Sequence, residues 1–306
     1  MAYQLQSTIS TPGNADFVLY SNGSIWVGTS TNVFRIDLVT LAVTTIFTGV
    51  CSTNLVEDQY GYIWFLSFTA TLQRIDPSNN SITTFTVVSG QVTHNRLSLA
   101  LGELWVTVTN PPNSVDVYRV DPSTGVATYS FTTTGISGSV AAPNSFFVEQ
   151  NGYIWFSRTG FAGHFIGQLD PATNTVVSNT LVNASVAFFQ AGIAAYGYVW
   201  ATSNNGLMRF DTSALTYSYD GGSSVKALVD YNGSLYTSDY ANVYKYDVNT
   251  LTTTTIITTV AQQIGDFRFD SAKNIYLAVV LASGGFGRTL KYVIPAVGWV
   301  RGHAWG

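Results

Sequence analysis

The chain has 306 residues, of which only 10% are Asp, Glu, Lys or Arg, against about 25% in an average globular protein. With 13 Lys and Arg, 17 Asp and Glu and a net charge of -4, it has no basic stripe to neutralise phosphates, so nucleic acid is excluded as a partner. The single cysteine, Cys51, excludes an intrachain disulfide and a thiolate metal site, and reads as a small buried apolar residue.

The first residues, Met1 to Gln6, lack a basic start followed by an apolar core, so no signal peptide is expected. No apolar run approaches the roughly 18 residues that cross a bilayer. Cytosolic synthesis without membrane insertion is the expectation, and the low charge suits a virion component released by lysis. Tyr3 to Ile9 has the β-branched, polar alternation of an outer strand, and Thr11-Pro12-Gly13 turns out of it.

A motif Gly-x-(Ile/Leu/Val)-Trp then recurs, each copy followed by an apolar-Asp pair. The copies are Gly23 to Trp26 with Asp37, Gly61 to Trp64 with Asp76, Gly102 to Trp105 with Asp121, Gly152 to Trp155 with Asp170, and Gly197 to Trp200 with Asp211. Gly233 to Tyr236 with Asp247 and a degenerate Lys273 to Tyr276 complete the series. The aromatic positions are 38, 41, 50, 45, 36 and 40 residues apart. Repeats of about 40–45 residues containing several short strands predict propeller blades. The fold class is therefore all-β: a seven-bladed β-propeller of four-stranded antiparallel blades, the ring closed by the N-terminal strand. Residues 1–294 form this single domain and 295–306 a C-terminal tail.

The second repeat illustrates one blade. Asn54 to Asp58 opens an inner strand, Tyr62 to Ser67 is the second and Leu72 to Asp76 the third. Pro77-Ser78-Asn79-Asn80 is a turn, and Ser81 to Val87 the outer strand. The recurring Trp reads as packing between blades. For closure, Tyr3 to Ile9 completes the last blade beside Leu290 to Val293. The alternative is that Gly298 to Arg301 supplies that strand.

Counting back seven residues from each repeat's Gly, or from Lys273, reaches Asp16, Asn54, Asn95, Ser145, Gln190, Lys226 and Asp266. All are polar, on strands otherwise apolar, and the inner strand of a blade lines the central channel. They are expected to ring one channel mouth and to bind a small polar ligand, an ion or water. Asp16, Asp239 and Asp266 are the candidates for a divalent cation, with Lys226 placed to compete as a salt-bridge partner. No cofactor is expected otherwise.

Three repeats carry extra residues between Trp and Asp or its equivalent: Asn110 to Asn113, Gly160 to Phe165, and Ala282 to Gly287. These and the long connection Thr132 to Asn144 are expected as loops on the face of the polar ring, where binding tends to reside. Asn110, Asn113, Phe161, His164 and Phe165 are the candidate partner contacts, with His164 expected in solvent. Trp299 and Trp305 would make the tail a second docking element, buried against the propeller or another chain.

The runs Gly152-Tyr153-Ile154-Trp155-Phe156 and Phe165-Ile166-Gly167-Gln168-Leu169-Asp170-Pro171 resemble the repeats of the streptogramin (virginiamycin B) lyase family and of NHL-like propellers. The likeness extends over nearly the whole chain in period and implies seven blades. It would also imply a lyase that opens a cyclic depsipeptide with a His base, a nearby Glu and Mg²⁺. The family's Glu lies three residues after the blade Trp, where this chain has Thr29, Ser67, Val108, Arg158, Ser203, Asp239 and Val279. His94 is in the blade carrying Val108, so no blade offers both the base and its partner. No Ser-His-Asp set is recognisable either. The sequence is read as a non-catalytic binding or structural module, plausible as a phage or viral surface component contacting a protein or glycan. A lyase or metal-dependent hydrolase at the channel mouth is the alternative.

Overall fold

The computed structural model describes residues 3–11, 15–49, 51, 54–67, 71–87, 97–110, 114–134, 146–160, 163–183, 191–203, 206–220, 225, 227–259, 262–281 and 288–293. Among them are seven sheets of four antiparallel strands each and no helix. In blades one to six the four strands follow one another in sequence from the channel outwards. In blade seven, Gln262–Phe269, Ile275–Leu281 and Arg288–Val293 are joined by Gln4–Ser10 as the outer strand. Gln4 pairs with Val293 and Ser10 with Arg288, so the N-terminal strand closes the ring as expected and the Gly298 to Arg301 alternative falls.

Local chemistry explains the repeat. The motif Gly is the second residue of a two-residue hairpin turn in blades one, three, four, five and six. Asn22 (φ 49°) and Gly23 (φ 68°), like Asn151 (φ 56°) and Gly152 (φ 79°), show the paired positive φ that matches strand twist. The motif Trp sits in the second strand, where Trp26, Trp64, Trp105, Trp155 and Trp200 are at most 1% exposed. Burying such a ring removes about 150–250 Å² from water, about 4–6 kcal/mol of transfer free energy each. In four of the five the indole N–H donates to the carbonyl five residues back, as Trp105 does to Ala100 at 3.1 Å. The ring can therefore be buried without an orphaned donor.

A basic residue on the third strand stands opposite each blade aromatic in most blades: Arg35 beside Trp26, Arg74 beside Trp64, Arg119 beside Trp105 and Arg209 beside Trp200. Lys245 and Lys291 do the same for Tyr236 and Tyr276. The Arg35 guanidinium lies 5.4 Å from the Trp26 ring centroid, and its Nη1 donates to Pro77 O of the next blade at 2.9 Å. Six of the 13 basic residues are thus used within or between blades. Seven core clusters arise, most of them spanning two neighbouring blades; Trp64 of blade two, for example, packs with Leu97 and Val106 of blade three.

Among the described residues the ends of both inserts are strand: Asn110 in blade three, and Gly160 and Gly163 to Phe165 in blade four, while 111–113 and 161–162 lie outside the described residues. Glu103–Asn110 and Ser114–Val120 lengthen blade three, and its outer strand is Ala127–Thr134. Tyr153–Gly160, Gly163–Asp170 and Thr175–Asn183 do so in blade four. A hairpin satisfies the added backbone groups in pairs, which a long loop cannot. These two blades therefore stand taller than their neighbours on the face where the inner strands begin.

Candidate functional site

The central channel is walled by the inner strands, and the pairing register decides which side chains face it. The residues opposite the blade aromatics are Leu19, Val56, Ser98, Val148, Ile193, Val229 and Arg268. All seven are partly exposed, whereas Val18, Leu55, Leu97 and Phe267, next to them in sequence, are buried between blades. Two residues nearer the strand starts, on the same face, lie Phe17, Asn54, Phe146, Ala191, Ala227 and Asp266. A cavity of about 200 Å³ is lined by all six together with Ser98, Ile193 and Arg268.

This second layer corrects the ring obtained by counting. Asn54 and Asp266 are in it. Phe17 pairs with Gly28, two positions before Leu19, and takes the channel place in blade one; Asp16, one residue earlier, is the extra residue of a bulge between Ala15 and Phe17. In blade seven, as in blade two, the turn after the inner strand is one residue longer than the two-residue turns, which puts Asp266, paired with Ala278, in register with Phe17. In blades four to six the layer is Phe146, Ala191 and Ala227, one residue beyond Ser145, Gln190 and Lys226. Those three residues and Asn95 lie outside the described residues. The described layer is consequently more apolar than the count implied.

Asp266 is buried and spans the ring closure. Its Oδ2 accepts the Val18 amide of blade one at 3.2 Å, and its Oδ1 accepts the Phe267 amide at 2.8 Å and Arg268 Nη1 at 2.5 Å. Burial pushes its carboxyl upward, opposed by the Arg268 charge and the backbone donors. Asp16 is half-buried and has no hydrogen bond or ion pair among the described residues; desolvation raises it to about 6. Asn54 donates through Nδ2 to Leu97 O at 2.9 Å, tying blade two to blade three.

Asp239 belongs elsewhere. Its carboxylate accepts the amides of Ala241 and Asn242 at 2.7 Å each and the Tyr244 hydroxyl at 2.6 Å, closing the turn between the second and third strands of blade six. These donors hold it below the usual carboxylate range despite desolvation. Thr29, Ser67 and Ser203 occupy the same position and bond the same turn: Thr29 Oγ1 accepts Asn32 N at 3.0 Å, and Ser203 Oγ donates to Gly206 O at 2.7 Å. In these four blades the position three residues after the aromatic is thus held by a turn-capping side chain. Among the described residues no group of three His, Cys, Asp or Glu could hold a metal ion.

The partner-contact candidates also change place. His164 and Phe165 lie inside the strand Gly163–Asp170 and are 7% and 9% exposed, so His164 is not a solvated histidine and neither residue offers contact area. Burial lowers the His164 pKa. Asn110 ends the second strand of blade three. Asn113, Phe161, His94, Trp299 and Trp305 lie outside the described residues, as do the connection 135–145, the segment 282–287 and the tail from 294 onwards.

Two buried acids were not singled out from the sequence. Asp58 accepts Tyr60 N at 2.8 Å, Tyr62 N at 3.0 Å and Trp64 Nε1 at 2.6 Å. Asp270 accepts Ala272 N and Asn274 N, and at 3.4 Å the Tyr276 hydroxyl. Blades two and seven lack the two-residue turn, and an Asp three residues before the turn's end is the signal that replaces it.

The fold is that of a seven-bladed propeller. The chain superposes on the WD40 β-propeller domain of Doa1 with a TM-score of 0.69 at 13% identity, covering 96% of this chain and 97% of that one. It superposes on a chain of the mitotic checkpoint complex with a TM-score of 0.71 at 10% identity, covering 95% and 92%. The extracellular domain of a proposed one component system from B. thetaiotaomicron matches with a TM-score of 0.68 at 15% identity over 94% of this chain. The match spans 39% of that longer chain. No family model matches the sequence, and no curated protein matches it. At these identities the likeness establishes architecture alone.

Proposed function

We propose that the chain is a non-catalytic binding or structural module, a ring that contacts a protein or a glycan within a larger assembly. The observation that carries this reading is the composition of the perimeter. Six of the seven outer strands contain no charged residue, and the seventh has only Asp220 at its end. Leu5, Val43, Ile82, Tyr129, Val177, Leu181 and Tyr217 stand exposed along them. Bulges interrupt most of these edges, as between Val117 and Tyr118 or His164 and Phe165, which discourages strand addition. Recognition would therefore run through side chains, and uncharged surface with aromatic and aliphatic groups suits protein or glycan contacts. Neighbours in fold include a WD40 domain and a chain of a multiprotein complex, which supports the same reading.

The tall blades three and four are the preferred sector, because their hairpins and outer strands offer the largest raised area. Tyr129→Lys with Val177→Lys and Leu181→Lys places three charges there without touching the core. Light scattering and glycan-array binding of the folded variant should show loss of assembly or of glycan binding. An unchanged result in both sinks the proposal. A streptogramin B lactone with Mg²⁺ should stay closed in the presence of the protein, and turnover would favour the enzyme. The finer reading, a virion surface component, rests on low charge and is tested by whether capsid or tail genes adjoin its gene.

A further inference from the structure

The wall of the channel carries one feature that the scaffold does not require. Six blades place Leu, Val, Ser or Ile opposite the blade aromatic, and only blade seven places an arginine there. Arg268 uses Nη1 for Asp266 Oδ1 at 2.5 Å and Phe267 O at 2.7 Å. Its Nε and Nη2 donate to none of the described residues, and the side chain is 28% exposed. It lines both the 200 Å³ cavity and an adjoining, wider cleft of about 610 Å³ that opens at the turn end of the channel. A guanidinium has five donors in a fixed fork, so most of this one remains available. Ser98, three blades away around the ring, lines the same two spaces. Its Oγ accepts the Phe147 amide at 3.2 Å, which leaves its own proton to donate.

We propose that the channel binds a small organic monocarboxylate, its carboxylate on Arg268 and Ser98 and its apolar body against Leu19, Val56 and Ile193. A guanidinium fork matches a carboxylate in two parallel hydrogen bonds, and the pair is strengthened away from bulk water. The charge of the ligand is set by the neighbours. Asp266 already offsets part of the Arg268 charge, so a phosphate with nearly two negative charges would be repelled where a single charge is held. Glu57 and Glu149 also line the cleft, but each follows a wall residue in sequence and so points to the other face of its strand. Glu149 Oε1 accepts the Gly152 amide at 2.9 Å, and Glu57 Oε1 accepts Asn22 Nδ2 at 3.4 Å, so both are turned to the hairpins. The combined space falls in the range of small-ligand pockets, about 300–1,000 Å³. This site is separate from the perimeter, and either proposal can fail without the other.

Calorimetric titration of the full chain with benzoate and isovalerate, against benzamide and inorganic phosphate, tests it. Benzoate should bind about tenfold or more tightly than benzamide, the neutral isostere. Asp266→Asn with Arg268→Met removes both charges together, so no buried carboxylate is stranded, and should weaken benzoate by about tenfold or more. Ile193→Trp fills the channel without touching the ion pair and should abolish binding while the thermal transition is kept; it serves also if the double variant does not fold. Equal binding of benzoate and benzamide, preference for phosphate, no binding of either carboxylate at millimolar concentration, or unchanged binding in Ile193→Trp would each overturn the proposal.

Discussion

The indole N–H of Trp64 donates to Asp58 Oδ2 at 2.6 Å, while Asp58 Oδ1 holds the amides of Tyr60 and Tyr62. One buried carboxylate thus links the blade's largest ring to the turn that precedes it. Asp58→Ala removes the acceptor for three donors, one of them inside the core, and should cost roughly 2–4 kcal/mol. Asp58→Asn keeps one acceptor oxygen and should cost less. Urea unfolding of the two variants measures the order; equal losses would show that the acceptor oxygen kept by Asn contributes nothing.

Asp16 has a folded pKa of about 6, against 3.8 for the free side chain, because burial opposes its charge. The folded state therefore binds the proton more tightly than the unfolded chain. Stability from this group is fully present below about pH 4, falls as pH rises through 6, and stays lost above it. Asp16→Asn should stabilise the protein at pH 7 by about 1–2 kcal/mol after allowance for solvent screening, and the gain should vanish near pH 4. A gain that does not depend on pH would place the cause elsewhere.

Leu215 and Leu251 adopt φ of 53° and 57° in the turn before the outer strands of blades five and six. Asn80 and Asn174 fill the equivalent places in blades two and four at 61° and 56°. A branched apolar residue is strained in this region, and Asn is tolerated. Because Leu251 is 41% exposed, little burial is lost on replacing it. Leu251→Asn should raise stability by about 0.5–1 kcal/mol, visible as a higher Tm; a lower Tm would mean that its packing outweighs the strain.

Removing residues 1–10 strips the outer strand from blade seven. Ile9 is buried there, and six paired positions join the strand to Arg288–Val293. The expected loss is roughly 3–6 kcal/mol, felt in one cooperative transition because each blade leans on its neighbours. A truncated chain with unchanged thermal unfolding would show that closure does not depend on this strand.

Blade number, turn positions and the closing strand were legible in the chain because the same local chemistry is written seven times. Gly at a positive φ, Trp in the second strand and Asp at the third turn each solve a short-range problem, and short-range problems leave short-range signals. The channel wall was less legible. The turns after the inner strands of blades two and seven are one residue longer than the two-residue turns elsewhere, so a fixed count reaches Asn54 and Asp266 but lands on Asp16 where Phe17 faces the channel. A one-residue shift reverses every side chain on a strand. Gly163 to Phe165 of blade four reads as loop because polar, Gly-containing runs are shared by loops and exposed hairpins; the pairing of Arg158 with Phe165 and of Gly160 with Gly163 makes it strand. The sequence by itself determined how many blades there are and how each turns. Only the tertiary structure decided which residues meet at the axis, because Arg268, Asp266 and Ser98 come together through ring closure over more than 160 residues of chain, and no local pattern encodes that distance.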